Sequence, residues 1–495
     1  MDKKGSSGSG LPVPVLIAGL AAFTLMHFYP AGTEVAAVCV LAAPTLFLYC
    51  SRRCESRAQL RITGLVFTAG LIMMNLGYCP GILLDILIFT LSAIFISPAF
   101  ILDRRYGKEG RGFLSTLIFP AVWVSLFFVS TLFNLGFQFR LDAFVTPLRA
   151  LIQAESIIGS CGVLFLILWT SSVVVYIIEN GRSASRAGAA VWVMVTAGAI
   201  IFGAVRLQTP SGSSGTVRIA CSTGPYVGTS FDYEELDYDT YVLSLEKSVE
   251  EAAEDGAELV MFSEEAFLVP DTREEEFSAL ISDLARRYRI YILTGEEISD
   301  TDGSEDGKNI NLIRLTDSDG VELFRYVKHS IVPIVESSDI VTGEAALPSA
   351  DVNFSCGKVR LSSAICYDSN FSSYISTIPS GTQLLLLPSW DWEHVSNYHG
   401  EVAREIAIEN GVTVVKDTYD GISLTVTPLG ETVTASDTAE SGYENTITAD
   451  IPIQYRATFF SEAGYLYEYI ITALSAAALI LFEIKRNSKK EVDEE

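Results

Sequence analysis

The strongest constraint on this chain is how its apolar residues are distributed. From Leu11 to about Leu207 the sequence is a succession of apolar runs, each near the roughly 20 residues that a helix needs to cross bilayer hydrocarbon. One more run covers 464–484. Between them, residues 216–462 hold 45 acidic and 15 basic residues, which predicts a soluble, acidic module set among membrane helices. Phosphate backbones attract basic surfaces, so no nucleic acid is expected as a partner. The acidity itself reads as a solvated surface.

The apolar runs at 11–29, 34–50, 62–79, 82–102, 113–137, 156–178 and 188–207 predict seven helices before the module, and 464–484 one after it. Basic residues fall in alternate connections: Lys3 and Lys4; Arg52, Arg53, Arg57 and Arg61; Arg104, Arg105, Lys108 and Arg111; Arg182 and Arg186; then Lys485, Arg486, Lys489 and Lys490. Lys and Arg near span ends stay on the cytoplasmic side. The expectation is a multi-pass protein of the cell membrane with both termini cytoplasmic and the module outside. The organisation is then a membrane domain over 1–207, a Gly/Ser linker over 208–215, the module over 216–462, a membrane helix over 463–486 and a cytoplasmic tail over 487–495. Lys3 and Lys4 ahead of an apolar run also fit a signal peptide. The run is long for one and no small-x-small cleavage site follows, so a retained helix is expected.

Within the module, short β-branched runs (217–221, 258–262, 290–294, 359–365, 383–387 and 412–416) alternate with helical patterns (241–255, 274–288 and 399–410), which predicts a layered α/β architecture. Asn309–Thr316 and Val321–Val327, joined through Asp317-Ser318-Asp319-Gly320, predict a hairpin, and a second is expected after Ile422. Three predicted strand ends carry reactive groups: Phe262-Ser263-Glu264-Glu265, Tyr326-Val327-Lys328-His329 and Ile365-Cys366-Tyr367-Asp368. A base, a cation and a thiol are what covalent acyl transfer needs. Taken singly, each has an ordinary reading: Cys366 as a small buried hydrophobe, Lys328 and Glu336 as loop charges, Glu265 as surface charge, His27, His394 and His399 as polar or interfacial residues, and His329 as a structural hydrogen-bonding residue. Asp85 and Glu155, charges near apolar runs, are candidates for an intramembrane pathway. Eight cysteines show no C-x-x-C pair, so no zinc site is expected. A Cys356–Cys366 or a Cys221–Cys356 disulfide remains open. No G-x-S-x-G, P-loop or H-E-x-x-H occurs.

In chain order, the three segments resemble the Glu, Lys and Cys motifs of the carbon–nitrogen hydrolase (nitrilase) superfamily. Tyr326-Val327-Lys328-His329-Ser330-Ile331-Val332-Pro333-Ile334-Val335-Glu336 and Ile365-Cys366-Tyr367-Asp368 further resemble the Y-x-K-x-x-L-V-P-F-G-E and I-C-Y-E motifs of apolipoprotein N-acyltransferases. Helices, then module, then one helix is also similar to that family. Departures are Ser263 for Pro, Asp368 for Glu, Cys221-Ser222-Thr223 in the first strand, and no Trp between Trp192 and Trp390 where that family has a lid tryptophan.

The resemblance implies a polytopic α-helical membrane bundle of about eight spans plus an extracytoplasmic nitrilase-like α-β-β-α sandwich. It also implies Glu264 as base, Lys328 as oxyanion cation, Cys366 as nucleophile, Glu336 as a second carboxylate, and Tyr367 and Asp368 as substrate-binding or oxyanion residues. A phospholipid would be the acyl donor and a lipoprotein the acceptor, with no metal or organic cofactor. The alternative is a membrane-anchored amidase with the same triad and water as second nucleophile; a binding module carried by transporter- or sensor-like helices is a third.

Overall fold

The computed structural model describes residues 11–494, except 111, 134, 136–139, 226, 230–231, 235, 300–307, 334, 337–339, 344–345, 439–445 and 465. Lys3, Lys4 and Arg111, named above, therefore lie outside the described residues. The chain divides into two compact units: residues 1–204 with 465–495, and residues 205–464.

The first unit is helical: α1 (Val13–Phe28), α2 (Glu34–Arg53), α3 (Arg57–Met74), α4 (Ile82–Gly110), α5 (Ile118–Thr131), α6 (Glu155–Gly181), α7 (Arg186–Gln208), and α11 (Leu466–Glu494) after the module. Among the described residues five helices are long and apolar enough to cross a membrane: α2, α4, α6, α7 and the helical stretch Phe113–Thr131; α1 and the segment Leu466–Ala478 are apolar but shorter. The third span, expected over 62–79, is displaced. Ser56 caps α3, accepting from the Gln59 N–H at 3.2 Å while the Gln59 side chain returns to the Ser56 N–H. At the other end the chain turns, and Asp85 pins that turn by accepting from the Gly77 and Cys79 N–H groups at 2.8 Å each. Asp85, expected as a pathway charge, is thus occupied as a turn brace. Glu155 is fully buried in the first turn of α6. Rings of Phe23, Phe47, Phe67 and Phe100 pack edge to face or stacked on one another, and Phe67 and Phe100 meet Trp123 edge to face.

The second unit holds two sheets. One runs β15-β1-β4-β6-β7-β8: β15 (Thr446–Tyr455), β1 (Gly212–Ser222), β4 (Leu259–Phe262), β6 (Tyr291–Ser299), β7 (Ile310–Thr316) and β8 (Glu322–Val327), with β5 (Phe267–Pro270) beside β6. The other runs β14-β13-β12-β11-β10-β9: β14 (Thr432–Asp437), β13 (Ile422–Val426), β12 (Thr413–Tyr419), β11 (Leu384–Trp390), β10 (Gly357–Ser363) and β9 (Ser349–Phe354). A small side hairpin joins β2 (Val227–Thr229) and β3 (Asp232–Glu234). Strands β1, β4 and β6, and separately β10, β11 and β12, are parallel neighbours. Such strands are covered on both faces, which is why Leu259–Phe262 and Thr413–Tyr419 are continuously buried.

Helices α8 (Tyr238–Glu254) and α9 (Glu274–Tyr288) cover the first sheet with Leu245, Val249, Phe277 and Ile281, residues four apart on one face. Helix α10 (Glu393–Asn410) packs on β12 and β13. The layers are therefore helix, sheet, sheet, helix. Both expected hairpins are present, β7–β8 closed by Asp317, whose Oδ1 accepts from the Asp319 and Val321 N–H groups. The Gly/Ser stretch read as a linker over 208–215 is not free chain, because Gly212, Ser213 and Gly215 pair with Tyr455, Gln454 and Ile453 as the start of β1. Pairing satisfies backbone groups that a loop would leave to water.

Candidate active site

The candidate residues sit at carboxyl ends of strands from both sheets. Glu264 follows β4 by two residues, Lys328 follows β8 directly, and Cys366 follows β10 by three. Two glycines let the backbones come this close. A Cβ on Gly295 of β6 would lie 2.0 Å from the Ser263 carbonyl oxygen and 3.1 Å from Glu264 Cα. One on Gly343 would lie 2.0 Å from the Val327 carbonyl oxygen, beside the bond that the Gly343 N–H donates to the Lys328 carbonyl at 2.7 Å. No other residue fits either position.

Lys328 is wholly buried, with its ammonium between two carboxylates: it donates to Glu264 Oε1 at 2.7 Å and to Glu336 Oε1. Glu264 Oε1 also accepts from Asn311 Nδ2 at 2.8 Å, and its Oε2 from the Trp390 N–H at 2.9 Å. Glu336 is fixed through Oε2 by the Val332 N–H at 2.6 Å. The Cys366 thiol donates to the Trp390 carbonyl at 3.6 Å. The backbone of one residue, Trp390, ending β11, thus anchors the carboxylate through its N–H and the thiol through its C=O. Cys366 has φ of 41° and opens a short 3₁₀ turn, Cys366–Asn370. A positive φ at a non-glycine residue is a strained conformation that concentrates at functional positions.

The charges here are unbalanced. Burial pushes the Cys366 thiol well above its ordinary range, and the Glu264 charge adds to this against the pull of Lys328. Burial alone would depress the Lys328 ammonium, but Glu264 and then Glu336 outweigh it and hold its pKa well above normal. Burial also raises Glu336. The resting thiol is therefore protonated beside a permanent cation. Glu265, expected as surface charge, is instead half-buried with φ of 50°, shares Asn311 Nδ2 at 2.7 Å, and is raised by burial, Glu297 and Glu264.

The side chains of the two residues after the thiol are held by protein groups. Asp368 is fully buried, and protein donors reach both its oxygens: the Ser330 N–H at 2.7 Å on Oδ1, and the Tyr326 hydroxyl at 2.7 Å and the Ile365 N–H at 3.1 Å on Oδ2. It braces the thiol turn against the loop that carries Lys328. The Tyr367 ring is buried edge to face on Phe371. His329 stacks on Tyr374 at 4.3 Å and meets the Gly343 carbonyl through Nδ1 at 3.2 Å.

A second buried charge cluster lies behind the first, unread in the sequence. Asp391 meets His399 Nδ1 at 2.7 Å and accepts from Lys416 Nζ at 2.5 Å; His399 Nε2 faces Asn370 Nδ2, in the thiol turn, at 3.1 Å. Lys416 and His399 together hold the Asp391 carboxyl down at about 2 despite burial. A lysine inside the apolar run Val414-Val415-Lys416 was the available signal, since a buried lysine requires a partner. Cys221, Cys356 and Cys366 take part in no disulfide, so neither open pairing is formed. Among the described residues no three His, Cys, Asp or Glu side chains gather as a metal site.

The carbon–nitrogen hydrolase family profile matches residues 218–459. An apolipoprotein N-acyltransferase of Rickettsia typhi is 23 % identical over 70 % of this chain and 72 % of its own length. One of Rickettsia bellii is 23 % identical over 77 % of each, and one of Shewanella oneidensis 28 % identical over 35 % of this chain and 36 % of its own. Among solved structures, an amidase from Nesterenkonia sp. aligns with 50 % of this chain and 95 % of its own at 21 % identity, with a TM-score of 0.41.

Proposed function

We propose, from the premise that the chain belongs to the apolipoprotein N-acyltransferase family of carbon–nitrogen hydrolases, that it moves an acyl chain from a phospholipid through a Cys366 thioester to the amine of a diacylglyceryl-cysteine lipoprotein. The observation that carries this reading is a buried amine bonded to two carboxylates, one of them held together with the thiol by the backbone N–H and C=O of Trp390.

Because the thiol rests protonated, deprotonation accompanies attack. Glu264 takes the Sγ proton as sulfur adds to the ester carbonyl. Lys328, kept charged by its two carboxylates, balances the negative oxygen of the tetrahedral intermediate together with the Tyr367 N–H. Collapse expels the lysophospholipid alkoxide, which takes the proton back from Glu264 and leaves the acyl group on sulfur. The acceptor amine then adds to the thioester and gives its proton to Glu264. Cys366 departs as thiolate and recovers that proton, leaving an amide. Glu336 keeps Lys328 in place and charged throughout. The membrane helices retain the module where both substrates reside, and the alternating basic connections favour an extracytoplasmic module with cytoplasmic termini.

Purified protein given a phospholipid labelled in its acyl chain and a diacylglyceryl lipopeptide should yield labelled triacylated peptide and a hydroxylamine-sensitive acyl-protein. Free fatty acid alone would favour the amidase-type hydrolase. No acyl-protein, with Cys366→Ala equal to wild type, would defeat the thioester reading.

A further inference from the structure

We propose that the groove between α3 and α4 binds one phospholipid with an anionic headgroup. The groove lies wholly within the helical unit and encloses about 600 Å³, within the roughly 300–1,000 Å³ of small-molecule sites. Its floor is aromatic: Phe67 lies 5.2 Å from Phe47 and 5.1 Å from Phe100 between ring centroids. Its rim is formed by the exposed side chains Leu65, Ile94 and Ile101. Small residues keep the two helices from closing on each other. Gly64 and Thr68 line one wall and Ala93 and Ser97 the other, and a Cβ added to Gly64 would meet no atom within 4 Å.

Charge at one end selects the occupant. Arg61 and Ser51 line the same groove, and Arg104 donates to the Ser51 carbonyl at 2.8 Å. Arg52, in the same helical unit, is neutralised twice: it makes a two-point bond to Asp103 at 2.7 and 2.8 Å and reaches Glu179 at 3.0 Å. Arg61 and Arg104 make no ion pair among the described residues, and no carboxylate lines the groove. A guanidinium at the edge of hydrocarbon without a protein counter-ion calls for an anion, and basic sites between membrane helices suit acidic lipid headgroups. The phosphate takes the arginine N–H groups as paired donors, and one acyl chain lies along the aromatic floor.

The site uses none of the residues assigned to acyl transfer, so its failure leaves that reading untouched. The test is native mass spectrometry of the full chain, delipidated in a non-ionic detergent and titrated with phosphatidylglycerol or phosphatidylcholine. Wild type should retain phosphatidylglycerol in preference. Arg61→Gln and Arg104→Gln should each weaken that retention about fivefold, the value of one cation near a lipid phosphate, and Gly64→Leu should displace both lipids by filling the slot. Arg61 is exposed, so its substitution leaves the fold intact. Equal retention of the two lipids by wild type, an unchanged Arg61→Gln protein, or a folded Gly64→Leu protein that holds as many lipids as wild type would overturn the proposal.

Discussion

Two buried clusters of charge meet in the module, and they are built to opposite specifications. Around Asp391 one carboxylate faces a lysine and a histidine, and its pKa falls to about 2. Around Lys328 two carboxylates and a thiol share one ammonium, and thiol, ammonium and Glu336 are all pushed upward. The balanced cluster holds its proton state fixed. The overloaded one keeps a proton on sulfur and a carboxylate ready to receive it. In the proposed mechanism similar residue types thus serve rigidity in one place and proton movement in another, according to how many anions each cation must satisfy.

Removing the proposed nucleophile should break the overloaded cluster most completely. Cys366→Ala should lower turnover by about 10⁴-fold or more and abolish the acyl-protein. Glu264→Gln keeps the bonds to Asn311 and Trp390 in shape but cannot accept a proton, and should cost about 10² to 10⁴ in kcat, checked by single-turnover kinetics with labelled phospholipid.

The balanced cluster should answer in stability. Asp391→Asn leaves Lys416 buried without its counter-ion and should destabilise the module by about 3–5 kcal/mol, read from thermal unfolding of the full chain. The folded pKa of Asp391 lies below its unfolded value, so its contribution is present above about pH 4 and lost as pH falls toward 2. In the variant that acid limb should flatten. Neighbouring Asp417 behaves inversely. Burial raises its carboxyl to about 7, so the folded state loses stability as pH rises from about 4 to 7. Asp417→Asn should therefore stabilise on the order of 2 kcal/mol at pH 8 and little at pH 4. Smallest in stability should be Glu336→Gln. It relieves one of two anions competing for Lys328, so unfolding should shift by under about 1 kcal/mol while activity falls. A large loss of stability there would erase the contrast between the clusters.

How far these clusters were legible depended on where their information lies along the chain. Glu264, Lys328 and Cys366 each end an apolar run, so local pattern exposed them. Asn311 and the Trp390 peptide bond to Glu264 across 47 and 126 residues, and that register is set by strand order rather than by any neighbouring residue. Gly295 resembles any strand glycine until the approach of Ser263 is known. Asp368 has the composition of a ligand, but the hydroxyl and N–H groups that occupy it come from other segments. In the helical unit, apolarity marked the helices, while the cap at Ser56 and the brace at Asp85 set edges that hydropathy misses.

The antiparallel pairing of β1 with β15 also dictates an order of events during synthesis. Ser222 must find Thr446, and Gly212 must find Tyr455, so the edge of the first sheet stays open until nearly the whole module has left the ribosome. Contacts of such long sequence separation form late and slowly. Until then β1 presents an unpaired edge, open to wrong partners.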